Sequence, residues 1–335
     1  MSGEIADAIA AILRNFPQGS ADGSWDETLG RAATDALRDG DWLDVSLPDL
    51  GDLADAVAVA AAVTAHGWPS PVPDLLLITN SALAAVGVPR SHRCPIVVPG
   101  PGRLDGTGRV TAAAEHVAWA PWADQLLVVA QDPRGRPTLV AVDPGQAELR
   151  PGHTLHGSPW AHVRLENAAA EYLGTATDDL AEFVTTAGAL ARSAQSLAAL
   201  ERVRALSVEH VRTRVQFGRP LAAFQAVQQH LAALIGEVAA AEAAVAQALG
   251  DVRDIRELVG DPRLSTAKIR TSAAATEAAR LAHQLHGAIG IAREHELHRH
   301  TLALLTWREE FGNERFWGGR LAASAGPDLW AWLTG

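Results

Sequence analysis

Arg214-Val215-Gln216-Phe217-Gly218-Arg219-Pro220-Leu221, continuing through Phe224-Gln225 to Gln228, sets a permanent cation, an amide, an aromatic ring and two helix breakers within a few residues. A dinucleotide pyrophosphate needs a cation with a planar donor fork, and Arg214 supplies one at the end of a long helical pattern. Phe217 can lie against a cofactor, while Gly218 and Pro220 end one helix and open the next. Further along, Gln284-Leu285-His286-Gly287-Ala288-Ile289-Gly290 offers a side-chain amide that both donates and accepts. Its two glycines let backbone approach a ligand where a Cβ would collide. Each string taken singly also fits a solvated charge at a helix break or a simple turn. Taken together they favour the ligand-binding reading.

The elements that must position these residues divide the chain into three parts. Residues 1–88 carry helical spacing, as in Ile5-Ala8-Ile9-Ile12-Leu13 and the apolar series from Leu53 to Val63, with Ser24 and Asp52 as candidate N-caps. Gly67, Pro69, Pro71 and Pro73 stop that pattern before a helix from Asp74 to about Ala85. Over residues 89–169 the period changes to two. Strands are predicted at Arg109 to Ala112, Glu115 to Trp119, Gln125 to Ala130, Pro137 to Val142 and His162 to Leu165, with turns at Asp132-Pro133-Arg134-Gly135 and Asp143-Pro144-Gly145. Residues 170–335 are alanine-rich and helical again. Four long helices are predicted there, from Asp178 to Gln216, Leu221 to Gly250, Ser265 to His286 and Glu296 to Ala323. The first, at about 40 residues, far exceeds a typical globular helix.

Composition narrows the function classes. A chain of 335 residues with 48% apolar content buries a substantial core and makes two or three domains. Its net charge of −11, with no basic stripe interleaved with aromatics, argues against nucleic acid. Lys268 is the only lysine, so arginine carries the remaining positive charge. The single cysteine, Cys94, excludes an internal disulfide and a thiolate metal cluster. No basic segment precedes an apolar stretch at the start, and no apolar run approaches the roughly eighteen residues of a membrane span, so no membrane insertion and a cytoplasmic location are expected. His283-x-x-His286 and His295-x-x-His298-x-His300 can set imidazoles on one helix face. Without an ordered carboxylate they read as stacked, partly exposed histidines, and no metal site is expected. Nucleophile elbows, phosphate loops and dinucleotide fingerprints after a strand are missing.

The two strings, in this order, resemble the C-terminal domain of the acyl-CoA dehydrogenase family, closely over residues 170–321 and loosely over 2–167. The resemblance implies an α+β, mainly α fold: a helical N-terminal domain, a small middle β-barrel and a C-terminal four-helix bundle. It also implies FAD as cofactor and an acyl-CoA or carrier-bound acyl thioester as substrate. In the family a glutamate removes the α-proton while the β-hydrogen leaves as hydride to the flavin. In many members that glutamate lies in a Glu-Gly-Thr turn. Here the corresponding stretch is Trp307-Arg308-Glu309-Glu310-Phe311-Gly312-Asn313-Glu314, which makes Glu310 the implied base and Glu309 the second candidate. The Arg-Asp-Ala that usually precedes the turn is absent, and the same glutamates also fit a solvated face offset by Arg308 and Arg315. Members with the base on the long helix would carry it near Gly188, where there is no carboxylate.

For the cofactor the resemblance implies Arg214, Gln216, Phe217, Gln284, Gly287 and Ala288, facing a flavin in a neighbouring subunit. The middle domain departs from the family. Pro99-Gly100-Pro101-Gly102-Arg103-Leu104-Asp105-Gly106 stands in place of a Gly-Ser-Asp loop and reads as turn, and Trp119-Ala120-Pro121 stands in place of Trp-x-Thr. Trp119 is thus either a ring that stacks on the isoalloxazine or a core aromatic. The chain is similar to the smaller subunit of heterotetrameric members, which pairs with a fuller acyl-CoA dehydrogenase subunit; a homo-oligomer is the alternative. Three readings stay open: a dehydrogenase subunit, a silent subunit completing a partner's flavin site, and a protein repurposed for non-redox thioester chemistry such as dehydration.

Overall fold

The computed structural model describes residues 2–16, 26–45, 52–67, 69–89, 94–177 and 179–324. Helices α1 (Ser2–Leu13) and α3 (Leu53–Ala65) form where the apolar spacing predicts them, and α2 (Glu27–Asp39) lies between them. Asp26 caps α2 by accepting from the Thr28 and Leu29 amides, and Asp52 and Asp55 close a capping box on α3. The other predicted cap, Ser24, lies outside the described residues. Next come α4 (Val72–Asp74), a π-helical turn at Leu75–Thr79 and α5 (Asn80–Ala85). The five residues of the π turn are all buried. Such turns add one residue to a helix and occur often at functional sites.

Seven strands follow: β1 (Pro95–Leu104), β2 (Arg109–Ala118), β3 (Gln125–Gln131), β4 (Pro137–Val142), β5 (Glu148–His153), β6 (Pro159–Ala169) and β7 (Glu171–Thr175). They make one sheet in the order β5-β6-β2-β1-β3-β4-β7, antiparallel except for the β1–β3 pair. The described ladders leave β5 and β7 as ends, so the middle domain is a continuous sheet without a β5–β7 ladder to close it. Three expectations need correction here. The Pro99 to Gly106 stretch, read as turn, lies mostly in the central strand β1, where a register shift between Val98 and Gly102 absorbs its prolines and glycines. The two strands predicted from Arg109 to Trp119 are one, with a bulge. The β domain also runs past 169, because β7 pairs with β4 as far as Thr175.

The C-terminal bundle contains α6 (Leu180–Thr213), a two-stranded hairpin of β8 (Val215–Gln216) and β9 (Arg219–Pro220), α7 (Gln225–Leu249), α8 (Pro262–His286), α9 (Leu297–Trp307) and α10 (Glu314–Ser324). The predicted helix from Glu296 to Ala323 is therefore two helices, broken between Arg308 and Asn313 where Phe311 and Gly312 take φ of 52° and 92°. Lys268 lies at the break. Its buried ammonium donates to the carbonyls of Trp307 (3.0 Å) and Arg308 (2.9 Å), satisfying orphan acceptors at the end of α9. Helix α6 serves two cores. Residues up to Ala194 pack with the N-terminal helices and the sheet, and Ala199 to Val211 pack with α7, α8 and α9.

Candidate active-site cleft and ligand-facing edge

Between the π turn, strands β1 and β2, and the bundle opens a cleft of about 830 Å³. Ile78, Ile96, Val97 and Val184 give it an apolar wall, and Thr185, Thr306, Glu309 and Glu310 supply polar groups. That volume falls within the range of ligand sites. The break after α9 holds the two glutamates. Phe311 lies on Gly188 of α6, where a Cβ would come within 2.1 Å of its ring. The long-helix position that lacks a carboxylate is therefore filled by an aromatic ring, and the ring anchors the turn that carries Glu310.

Glu310 Oε2 accepts from Arg192 Nε at 2.5 Å. Arg192 is 2% exposed and also donates to both Asp74 oxygens (2.5 and 3.0 Å) and to Gln195 Oε1 (2.6 Å). Burial works against the guanidinium charge, but Asp74 and Glu310 outweigh it and raise its pKa above the ordinary arginine value. Arg192 thus fixes the Glu310 carboxylate through one oxygen, and Oε1 keeps no hydrogen-bond partner among the described residues. Glu309 is the more exposed of the pair. It accepts from Asn313 Nδ2 at 3.1 Å and lies 3.5 Å from Arg308. Of the two implied bases, only Glu310 is oriented by a buried cation.

Beneath this group lies the half-buried and uncharged His156. Burial, with the nearby Arg192 charge, lowers its pKa to about 3. Its ring contacts Ser158 Oγ at 2.6 Å, Thr154 Oγ1 at 3.2 Å and Thr306 Oγ1 at 3.3 Å. Trp119 is 3% exposed, takes φ of 62° and tilts against Trp122 at 5.2 Å. It is a core aromatic, which corrects its reading as a ring stacked on a cofactor. The residues of β2 that line the cleft are Glu115, His116, Val117 and Ala118.

At the other end of α6 the structure brings the two motif strings together. His210, one turn before Arg214, stacks on His286 with centroids 4.4 Å apart, and His295 packs against His286 at 5.0 Å. Burial, then the charges of His295 and Arg214, lower the His210 pKa. The histidine stack read from the sequence is thus present for His286 and His295, with His210 added. Beyond it project Arg214, Gln216, Phe217, Gln284, Gly287 and Ala288, all exposed. Phe217 is 90% exposed at the tip of the β8–β9 hairpin, where Phe217 and Gly218 take φ of 52° and 79°. The Arg214 side chain makes no ion pair or hydrogen bond among the described residues. Gly287 has φ of 62° and open space where a Cβ would lie. A free guanidinium, an amide and an uncovered glycine turn at one edge fit an anionic dinucleotide presented from outside the chain.

Sequence reasoning missed Asp74, His156, Arg192, Lys268 and His116. Arg192 carried one usable signal: a charge on the apolar stretch of α6, between Ala191 and Ser193.

Residues 181–322 match the family model described as the acyl-CoA dehydrogenase C-terminal domain. Acyl-CoA dehydrogenase FadE27 of Mycobacterium tuberculosis is 34% identical over 218 residues, 61% of this chain and 58% of that protein. The match therefore spans less than two thirds of that relative. Acyl-CoA dehydrogenase IpdE2 of the same organism is 29% identical over 248 residues, 74% of this chain and 70% of that one. Among solved structures, a chain of the ChsE4-ChsE5 complex from Mycobacterium tuberculosis superposes with a TM-score of 0.81 at 25% identity, covering 98% of this chain and 96% of that one. Butyryl-CoA dehydrogenase from Megasphaera elsdenii shares the fold, with a TM-score of 0.79 at 16% identity over 96% of this chain and 97% of that one.

Proposed function

We propose, for a chain that belongs to the acyl-CoA dehydrogenase family, that it is one subunit of an oligomeric FAD-dependent acyl-thioester α,β-dehydrogenase. The observation that carries the proposal is the pairing of two features on α6. A cleft glutamate is held by Arg192, and an unpartnered Arg214 edge is left open to a neighbour.

The cleft admits an acyl thioester between apolar walls. Glu310 takes the α-proton through Oε1, while Arg192 keeps the carboxylate in place and His156 stays neutral below it. Bound FAD would supply the hydride acceptor for the β-hydrogen. Arg214, Gln216, Phe217, Gln284, Gly287 and Ala288 would hold the dinucleotide part of a flavin whose ring lies in the adjoining subunit. Similarity to a chain of a complex between two differently named proteins supports a different chain as that neighbour. Helix α7 supports assembly as well. It is long and apolar enough by length and composition to cross a membrane. Yet its exposed Ala232, Gly236, Ala239, Ala243 and Ala246 repeat at alternating four and three residues, the seam that lets a second helix approach closely.

The silent-subunit reading rests on the middle domain, where Pro121 cannot donate and the Gly-Ser-Asp donors are missing. The two readings separate in the purified native assembly. Arg214→Ala is expected to reduce retained flavin, read by absorbance, with the fold intact. Glu310→Gln is expected to abolish turnover with flavin content unchanged. Full activity in Glu310→Gln would leave this subunit silent.

A further inference from the structure

Strand β2 carries a bulge opposite β6. The register runs Ala114 to Val163 and then Val117 to Ala161, so Glu115 and His116 together face the single residue His162. His116 adopts φ of 54°, a left-handed conformation uncommon for a residue other than glycine. Bulges of this kind re-aim side chains. Here the result is that one ligand atom each from Glu115, His116 and His162 lie within 4.8 Å of one another.

None of the three side chains makes a hydrogen bond or an ion pair among the described residues. That is unusual for a carboxylate on this surface. Glu166 on the adjacent strand β6 and Glu148 on β5 beyond it are each paired with an arginine. The two imidazoles pack against Trp160 and each other, with ring centroids 4.4 to 4.9 Å apart. Trp160 is itself seated over Gly152, where a Cβ would come within 2.4 Å of its ring, so it forms a fixed wall behind them.

We propose that Glu115, His116 and His162 bind one divalent transition-metal ion of the zinc type. Two imidazoles and a carboxylate are the donor set such an ion accepts. Bonds of about 2.0–2.1 Å require donors roughly 3.3–3.5 Å apart, so the three must close by up to about 1.5 Å, a rotamer adjustment for two exposed side chains and one half-buried ring. With three protein ligands the ion keeps an open position. Glu115 and His116 line the cleft, so that position is available to an oxygen donor there. Its ligands lie on the sheet and none belongs to the Arg214 edge, so metal binding is read separately from flavin retention, although two of them line the same cleft as Glu310.

The test uses the purified full chain, stripped with a chelator and titrated with Co(II), with Zn(II) uptake followed by calorimetry. One equivalent is expected, giving visible ligand-field bands. His162→Gln and His116→Asn are expected to weaken binding by at least about tenfold, or about 1.4 kcal/mol. Asparagine is chosen at 116 because it tolerates the left-handed backbone. Should either variant fail to fold, the exposed Glu115→Gln is expected to shift the same bands. His295→Gln, in the histidine stack, is expected to leave them unchanged. Wild-type protein without bands or zinc uptake overturns the proposal. So do bands that survive His162→Gln and His116→Asn, or that vanish in His295→Gln, because either places the ion elsewhere.

Discussion

Arg192 joins two acidic residues, Asp74 and Glu310, each 118 residues away along the chain. The group is asymmetric, because Asp74 is enclosed while the Glu310 side chain is 24% exposed. Removing the shared cation strands a buried carboxylate, whereas neutralising Glu310 leaves Arg192 paired to Asp74. Arg192→Ala is therefore expected to cost about 3–5 kcal/mol in urea unfolding, and Glu310→Gln about 1 kcal/mol or less. Equal losses would show that the ion triad acts as a unit. The neutral histidines set a second expectation. His156 and His286 have pKa values lowered to about 3 and about 4 by burial, against 6.5 when unfolded. Below about 6.5 the unfolded chain takes up protons that the folded chain refuses. Their stabilising effect is thus complete above that pH and drains as pH falls toward 4, at up to about 1.4 kcal/mol per unit for each histidine. Glu296, held down to about 2 chiefly by its contacts with His300 and Arg202, adds its own loss only below about 4.5. Urea midpoints measured against pH check this, with His156→Asn expected to flatten the slope above pH 4.5.

The turn after α9 depends on its neighbours more than on its own sequence. Gly188→Ala would press a methyl into the Phe311 ring, and overpacking of this kind costs about 1–3 kcal/mol. Because Phe311 follows Glu310 directly, the same variant is expected to lower kcat more than it raises KM, in steady-state kinetics of the native assembly. An unchanged kcat would mean that the ring moves without carrying the glutamate. Elements with clean periodicity, such as α3, α6 and α8, were legible in the sequence to within a few residues. Strand β1 was not, because Pro99, Gly100, Pro101 and Gly102 signal a turn, and the strand is carried across them only by the pairing with β3 on either side, at Pro95 to Val98 and at Gly102 to Arg103. Pro151 likewise hid β5, which tolerates proline as an edge strand. The Arg214 and Gln284 strings stood out in the sequence because the residues of each are local, and the structure exposes them at one edge. The cleft was not legible, since Asp74, Arg192 and Glu310 meet only through tertiary packing, and the bulge that gathers Glu115, His116 and His162 has no periodic signal.

The whole molecule presents two kinds of unsatisfied surface on its bundle side, the Arg214 edge and the small-residue seam of α7. Gly236 lies in that seam, and nothing lies within 4 Å of a Cβ built there. Gly236→Leu is expected to stabilise the isolated chain by about 0.5–1 kcal/mol, since glycine weakens a helix interior. It is also expected to break the assembly, as the leucine holds a neighbouring helix away. Light scattering and thermal unfolding of the same sample check both halves. A stable variant that still assembles would move the interface off this seam.

Helix α6 carries Arg192 at one site and Arg214 at the other, 22 positions apart in a single unbroken run to its C-cap. At about 1.5 Å per residue the two guanidiniums are spaced like marks on a rod of about 33 Å, and 3.6 residues per turn fixes the angle between them. The helix thus acts as both ruler and protractor. One residue inserted between the marks would lengthen the rod by about 1.5 Å but swing one arginine about 100° around the axis, whereas seven would lengthen it by about 10.5 Å and nearly restore the angle. The two insertions therefore separate what the pair of sites demands, phase or distance.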